Sequence, residues 1–320
     1  MPELDLLKNI KFPSFVQFET NNNCNARCEF CCYGKMKRPH ETMPWSLILK
    51  IIDEAIANGA GAFCPFLMQE PLLEPRLIPI LRNIKMQNSH IVTTVYSNMS
   101  LMTESKAKAI LEAGVIDNLE ISFYAPTKEI YERLQLPLKY DVVMENIKRF
   151  MRIKGEGGYT KPIVNMHYIA MPELYEGAKV FLDMWKPIVD NVGFVHYDNW
   201  HGDQPDLEND DYWPVLPEKE RFPCPRLWHS MQILSNGQVV PCCIDYEGLE
   251  PMGNVREWHL KEIWNNQRFQ WIRRMHVERR FDEIPLCKDC TLWRYQHPLE
   301  WNNFWRQLKI PSLKATYPRT

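Results

Sequence analysis

A chain of 320 residues with 45% hydrophobic content is long enough to bury one large core and a smaller appendage. Its 38 basic and 40 acidic side chains nearly cancel, so no overall field draws it to nucleic acid or to an acidic membrane, and a small molecule or a peptide is the expected partner. No stretch approaches the roughly twenty apolar residues of a membrane span, and Met1 to Phe12 lacks the apolar core of a signal peptide, so the expected location is the cytoplasm.

From residue 14 to about 197, short apolar runs alternate with longer amphipathic ones, the pattern of βα units around a parallel sheet. Six strands are predicted: Phe15–Glu19, Ala62–Leu67, Ile91–Tyr96, Leu119–Phe123, Ile163–Ile169 and Val192–His196. Helices such as Leu47–Asn58, Glu104–Glu112 and Tyr140–Lys154 lie between them. This predicts an α/β fold, a partial (β/α)6 barrel, with function gathered at the C-terminal ends of the strands. Residues 198 to 222 are dense in Asp, Pro and Trp. Beyond them, Asn236-Gly237 marks a hairpin between Met231–Leu234 and Gln238–Val240, and one helix over about Leu260–Arg274 leads to Cys287. The expected division is a barrel over 1–200, a linker over 201–223, a small Cys-rich domain over 224–300 and a tail over 301–320.

Ten cysteines in a chain expected to stay in a reducing compartment are better read as metal ligands than as disulfides. Cys24, Cys28 and Cys31 share one loop directly after the first strand. A cubane cluster has four irons, so three thiolates leave one iron open to chelate a bound molecule. Zinc would want a fourth ligand; the adjacent Cys32 could nominally supply it, although a chain neighbour usually points elsewhere. A second set, Cys224, Cys242, Cys287 and Cys290, offers four thiolates from three separated segments. That number closes a metal site completely, as either zinc or a fully ligated [4Fe–4S] centre. Cys32 and Cys64 are read as structural, with Cys64 too deep in its strand for chemistry.

The CxxxCxxC of Cys24, Cys28 and Cys31, with the aromatic Phe30 before its last cysteine, resembles the signature of radical S-adenosylmethionine (SAM) enzymes. In that family the open iron binds SAM, and reductive cleavage yields a 5′-deoxyadenosyl radical. Gln69-Glu70-Pro71-Leu72-Leu73 resembles the family's GGEPLL segment, which assigns Glu70 to the SAM amino group, although Met68-Gln69 replaces the two glycines. Ser97-Asn98 resembles the TNG segment and Ser122 a ribose-contacting serine, while Phe30 would lie against adenine. Each has a plainer reading: Glu70 could cap the helix that follows, Ser97-Asn98 could be turn chemistry, and Phe30 could simply pack on the core. The second cysteine set, with Gly253-Asn254-Val255 and Leu260-Lys261-Glu262-Ile263-Trp264, resembles the SPASM/twitch appendage, which binds auxiliary clusters.

The resemblance therefore implies SAM and two [4Fe–4S] clusters, one SAM-binding and one auxiliary, with an outside electron donor such as flavodoxin or ferredoxin. It leaves two fates for a substrate radical. If Cys243 faces the barrel mouth, its thiol can return a hydrogen atom and give epimerisation, the reading placed first; more plainly, free cysteine is commonly just a buried small hydrophobe, and Cys242 and Cys243 could also exchange ligand roles. Alternatively a base takes a proton and the auxiliary cluster an electron, giving oxidation. The polar run His196-Tyr197-Asp198-Asn199-Trp200-His201 is expected at the mouth, suited to an aminocyclitol, a sugar or a similar molecule. No separate domain precedes Cys24, which favours small molecules over peptides, while a peptide substrate stays open. A non-catalytic zinc or iron–sulfur protein is the reading from another class of function.

Overall fold

Strand β1, Phe15–Phe18, is buried at every residue, as a central strand of a parallel sheet covered on both faces must be. The structure, a computed structural model, describes residues 11–207 and 217–295; the expected tail 301–320 and most of the run Asp206 to Asp211 lie outside the described residues. From β1 the sheet runs in parallel through β2 (Ala62–Cys64), β3 (Val92–Ser97), β4 (Asn118–Ser122), β5 (Ile163–Ala170) and β6 (Asn191–His196). All six expected strands are present. β2 stops at Cys64 rather than Leu67, because Pro65 has no N–H to give to a ladder.

The crossovers are helical for the reasons the sequence suggests. Helix α1 (Trp45–Ala57) buries Leu47, Ile48, Ile51, Ile52 and Ala55 along one stripe. Helix α2 (Glu104–Ala113) opens where the Thr103 side chain accepts a hydrogen bond from the Lys106 N–H, and it ends at Gly114 in the left-handed region. Helix α3 (Tyr140–Glu156) turns Val143, Ile147 and Phe150 to the core. Side chains from the C-terminal ends of the strands or just beyond them, among them Gln17, Phe66, Ser97, Ser122, Ile169 and His196, line a single cavity. The sheet therefore curls around that cavity as an open barrel.

The C-terminal region is joined to this sheet. Strand β7 (Ser230–Ile233) pairs in parallel with β1, with Phe15 opposite Ser230 and Phe18 opposite Ile233. β8 (Gln238–Val240) and β9 (Gly253–Asn254) extend the sheet antiparallel, giving nine strands in the order β9-β8-β7-β1-β2-β3-β4-β5-β6. Gly237, at φ +88°, supplies the left-handed residue that the β7–β8 turn requires.

The single helix expected over Leu260–Arg274 is in fact two, α4 (Leu260–Asn265) and α5 (Gln267–Val277). Asn266 between them is extended. It caps α5 by accepting from the Phe269 N–H and donates its amide to the Met252 carbonyl at 2.6 Å. No helix among the described residues is long and apolar enough to cross a membrane.

Candidate active site

The loop after β1 is held from several directions. The Cys24 N–H donates to the Tyr33 hydroxyl at 2.7 Å and the Cys31 N–H to the Cys28 carbonyl at 3.0 Å. Arg27–Cys28 pair antiparallel with Gln135–Leu136. From beyond β6, Trp200 Nε1 donates to the Phe30 carbonyl at 2.9 Å and Gln204 Nε2 to the Glu29 carbonyl at 3.1 Å. The segment read as a linker from residue 201 thus begins as a clamp on the cysteine loop.

Cys24, Cys28 and Cys31 all line the cavity, which has a volume of about 370 Å³. Cys32 does not: it is fully buried with Tyr33, Met68 and Tyr246, so it is no fourth ligand on that wall. Cys64, the last residue of β2, is also fully buried, against Phe15 and Ala62. Burial pushes the Cys24 thiol up to about 11 and the Cys31 thiol up to about 12. Such thiols are inert as free nucleophiles and become thiolates only when a metal repays the desolvation.

Glu70 is buried in the wall of the same cavity and carries three hydrogen bonds, from Ser97 Oγ at 2.8 Å, the Asn98 N–H at 2.8 Å and the Leu72 N–H at 3.1 Å. The capping role is therefore real, because the Leu72 bond caps the turn Pro71–Leu73, and it coexists with a place on the cavity wall. Ser97 is spent on Glu70. Asn98 is spent on the loop, with its Nδ2 on Asn25 Oδ1 at 3.0 Å and its Oδ1 accepting from Ser100. Both side chains brace the pocket while also lining it. Gln69, where the family pattern has glycine, fastens the ends of β1 and β2 together by accepting from the Thr20 N–H at 2.9 Å and donating to the Pro65 carbonyl at 3.2 Å.

Ser122 accepts from the Tyr124 hydroxyl at 3.0 Å, and the Tyr124 ring meets Phe30 edge to face at 5.1 Å. Tyr124 stands at φ 62°, a strained backbone for a non-glycine residue and one that recurs at functional sites. The polar run after β6 delivers His196, Asp198 and Trp200 to the cavity, while Tyr197, Asn199 and His201 point elsewhere. Sequence reasoning missed Tyr124, Gln135 and Arg226, which also line it. Nothing in their local sequence marks them; only the fold brings them here.

A second, smaller cavity of about 40 Å³ is lined by Cys224, Cys242, Cys287 and Cys290 together with Arg221, Arg226 and His276. All four expected thiols are thus brought together from three segments. Cys243 faces the large cavity while its neighbour Cys242 faces the small one. A hydrogen bond between the two holds the Cys243 thiol below its usual range and pushes Cys242 up. Arg226 and Ile244 belong to the walls of both cavities.

The residues fit the groups that the cysteine pattern implies. Among the described residues no three His, Cys, Asp or Glu side chains converge as tightly as a single bound ion would draw them; the thiols instead stand around cavity walls. In the large cavity, Gln135 is buried, and its Oε1 has no hydrogen-bond partner among the described residues, leaving an acceptor for a bound molecule. In the small one, two guanidiniums offset the charge that four thiolates would bring.

The radical SAM superfamily model matches residues 18–175, and the SPASM model, an iron-sulfur cluster-binding domain, matches residues 224–291. The chain belongs to the radical SAM superfamily. This radical SAM enzyme therefore uses SAM and [4Fe–4S] clusters. It is 25% identical over 329 residues to the tungsten-containing aldehyde ferredoxin oxidoreductase cofactor-modifying protein of Pyrococcus furiosus, covering 87% of each chain. It is 22% identical over 285 residues to the S-adenosyl-L-methionine-dependent 2-deoxy-scyllo-inosamine dehydrogenase of Niallia circulans, covering 88% of this chain and 94% of that one. Among solved structures, Streptococcus suis SuiB bound to the precursor peptide SuiA superposes with a TM-score of 0.69 at 15% identity, covering 91% of this radical SAM chain and 72% of the other. At that identity the likeness is one of fold.

Proposed function

We propose that this enzyme oxidises a carbon bearing a hydroxyl or amino group in a polar small molecule. One observation carries the reading: the cavity holding Cys24, Cys28 and Cys31 shares the wall of Arg226 and Ile244 with the cavity holding Cys224, Cys242, Cys287 and Cys290. Cys24, Cys28 and Cys31 would hold the first cluster, with Glu70 facing the amino group of SAM, and the other four cysteines would hold the auxiliary cluster. When bound, SAM supplies a 5′-deoxyadenosyl radical that takes a hydrogen atom from carbon.

The chain's own residues then have to position one C–H bond, accept a proton and let an electron leave. His196 and Asp198 are the proton acceptors beside Arg226 on the wall. Burial pulls His196 down to about 4, so its imidazole is neutral but a weaker base than an ordinary histidine, which leaves Asp198 the stronger acceptor of the two. Asp198, held by the Trp200 N–H at 2.8 Å, is pushed up by burial. The substrate thus loses a hydrogen atom, a proton and an electron, and Arg226 and Ile244 are the residues that stand between its cavity and the four thiols that would hold the electron-accepting cluster. The named activity of the Niallia circulans relative, a dehydrogenase, supports this reading over epimerisation. Epimerisation stays as the second reading because Cys243 faces the same cavity.

The test uses reduced, cluster-loaded enzyme, SAM and a panel of aminocyclitols and polyols in deuterated water, read by mass spectrometry. Oxidation predicts a carbonyl product that Cys243→Ala still forms, two mass units lighter from a hydroxyl-bearing carbon and, after hydrolysis of the imine with release of ammonia, one unit lighter from an amino-bearing carbon. A product of unchanged composition carrying one solvent deuteron, lost in Cys243→Ala, would mean epimerisation.

A further inference from the structure

His276 lies in α5, 2% exposed, at the wall of the four-cysteine cavity. The Cys224 N–H donates to its Nδ1 at 3.2 Å, and its Nε2 stands 3.3 Å from Cys287 Sγ. These two contacts fix the tautomer. A ring nitrogen that accepts from a backbone N–H carries no proton, so in the neutral imidazole the proton sits on Nε2. Nε2 is then a donor, and it points at sulfur. The Phe281 ring, edge-on at 5.1 Å, leaves the imidazole little freedom to turn.

We infer that His276 is a positioning residue that gives its Nε2–H to the Cys287 sulfur when Cys287 ligates the auxiliary cluster, and so makes that cluster a better electron acceptor. This rests on the proposed ligation by Cys224, Cys242, Cys287 and Cys290. Hydrogen bonds to cluster sulfurs are among the levers that set a reduction potential. A donor stabilises the reduced, more negative cluster and raises the potential, which is the direction an acceptor of a substrate electron needs. The same tautomer argument excludes His276 as a fifth ligand, since iron binding through Nε2 would require that nitrogen to be bare. One histidine thus spans two of the ligand segments, the backbone of Cys224 and the side chain of Cys287.

The test is a potentiometric titration of full-length, cluster-loaded enzyme, following the EPR signal that does not respond to SAM. In His276→Phe the midpoint of that signal moves to more negative potential. In His276→Gln, where an amide N–H can reach the same sulfur and an amide oxygen is retained, it returns toward the native value. An unchanged midpoint in His276→Phe with iron content intact would overturn the inference. Should His276→Phe lose its auxiliary iron, the native chain with isotopically labelled histidine decides. A weak nitrogen coupling in pulsed EPR of the reduced auxiliary cluster supports a donor through N–H···S, whereas no coupling, or the strong coupling of a bonded nitrogen, overturns it. Cys287→Ala separates the two levels: lost auxiliary iron upholds the ligation on which His276 depends, and full retention overturns that ligation itself.

Discussion

Ser97 gives its hydroxyl to the Glu70 carboxylate at 2.8 Å, inside the wall of the large cavity. Glu70 is thereby aimed by a residue on a neighbouring strand. Ser97→Ala removes one bond to a charged group, a cost of about 1.5–3 kcal/mol, and should weaken SAM binding by about tenfold or more, measured by equilibrium dialysis with the reconstituted enzyme. Unaltered affinity would mean that the Asn98 and Leu72 N–H groups hold Glu70 without help from Ser97.

The same carboxylate sets a pH dependence. Burial pushes Glu70 up, against the hydrogen bonds from Asn98, Leu72 and Ser97. Its charged form is the one that attracts an ammonium group. As pH falls, SAM binding should therefore fail earlier than an ordinary glutamate near pH ~4.3 would allow, and Glu70→Gln should bind weakly and without that acid limb.

Iron content separates the cysteines. Ala at Cys24, Cys28 and Cys31 together should halve the iron of reconstituted protein, from about eight to about four per chain for two cubanes, and abolish 5′-deoxyadenosine formation. Cys32→Ala should leave both unchanged, since Cys32 is packed with Tyr33, Met68 and Tyr246.

Glu19 is fully buried at the end of β1, where it pairs with Arg38 and accepts from the Ser235 N–H at 2.8 Å and the Met68 N–H at 3.3 Å. Glu19→Ala strands a nearly buried guanidinium and should cost about 3–5 kcal/mol, read as a lower urea midpoint.

Asp117 tests linkage. Burial pushes its pKa up, but hydrogen bonds from Lys161 at 2.6 Å, Lys85 and the Thr93 N–H outweigh it, and the net shift is downward. A depressed folded pKa contributes stability that is fully present above the unfolded value near ~3.9 and is lost as pH falls through the folded one. Asp117→Asn should cost about 1–3 kcal/mol at neutral pH, and the gap to the native chain should close toward pH ~2.

The first cysteine set was legible because CxxxCxxC is a local pattern, the second because its segments resemble a known cluster-binding appendage, and the six strands because their apolar runs are bounded by turns. Glu70 was legible only in part: its neighbours Ser97 and Asn98 appeared as contacts to SAM, whereas the structure spends their side chains on Glu70 and on Asn25. Arg226 and Trp200 act across long separations, as Trp200 does on Phe30, and no window of sequence holds both partners. The break at Asn266 escaped for the same reason. A local sign did exist, since Asn266 is a preferred capping residue and accepts from the Phe269 N–H, but its hydrogen bond to the Met252 carbonyl is made only by the fold.

The parallel pairing of β1 with Ser230–Ile233 has a consequence for biosynthesis. A nascent chain that has completed all six βα units still exposes one flank of its first strand, with unsatisfied amides and carbonyls, until residues 230–233 leave the ribosome. A polypeptide cut short before the hairpin would carry that open flank permanently and should self-associate. The segment that brings the second set of cysteines thus also seals the half that carries the first.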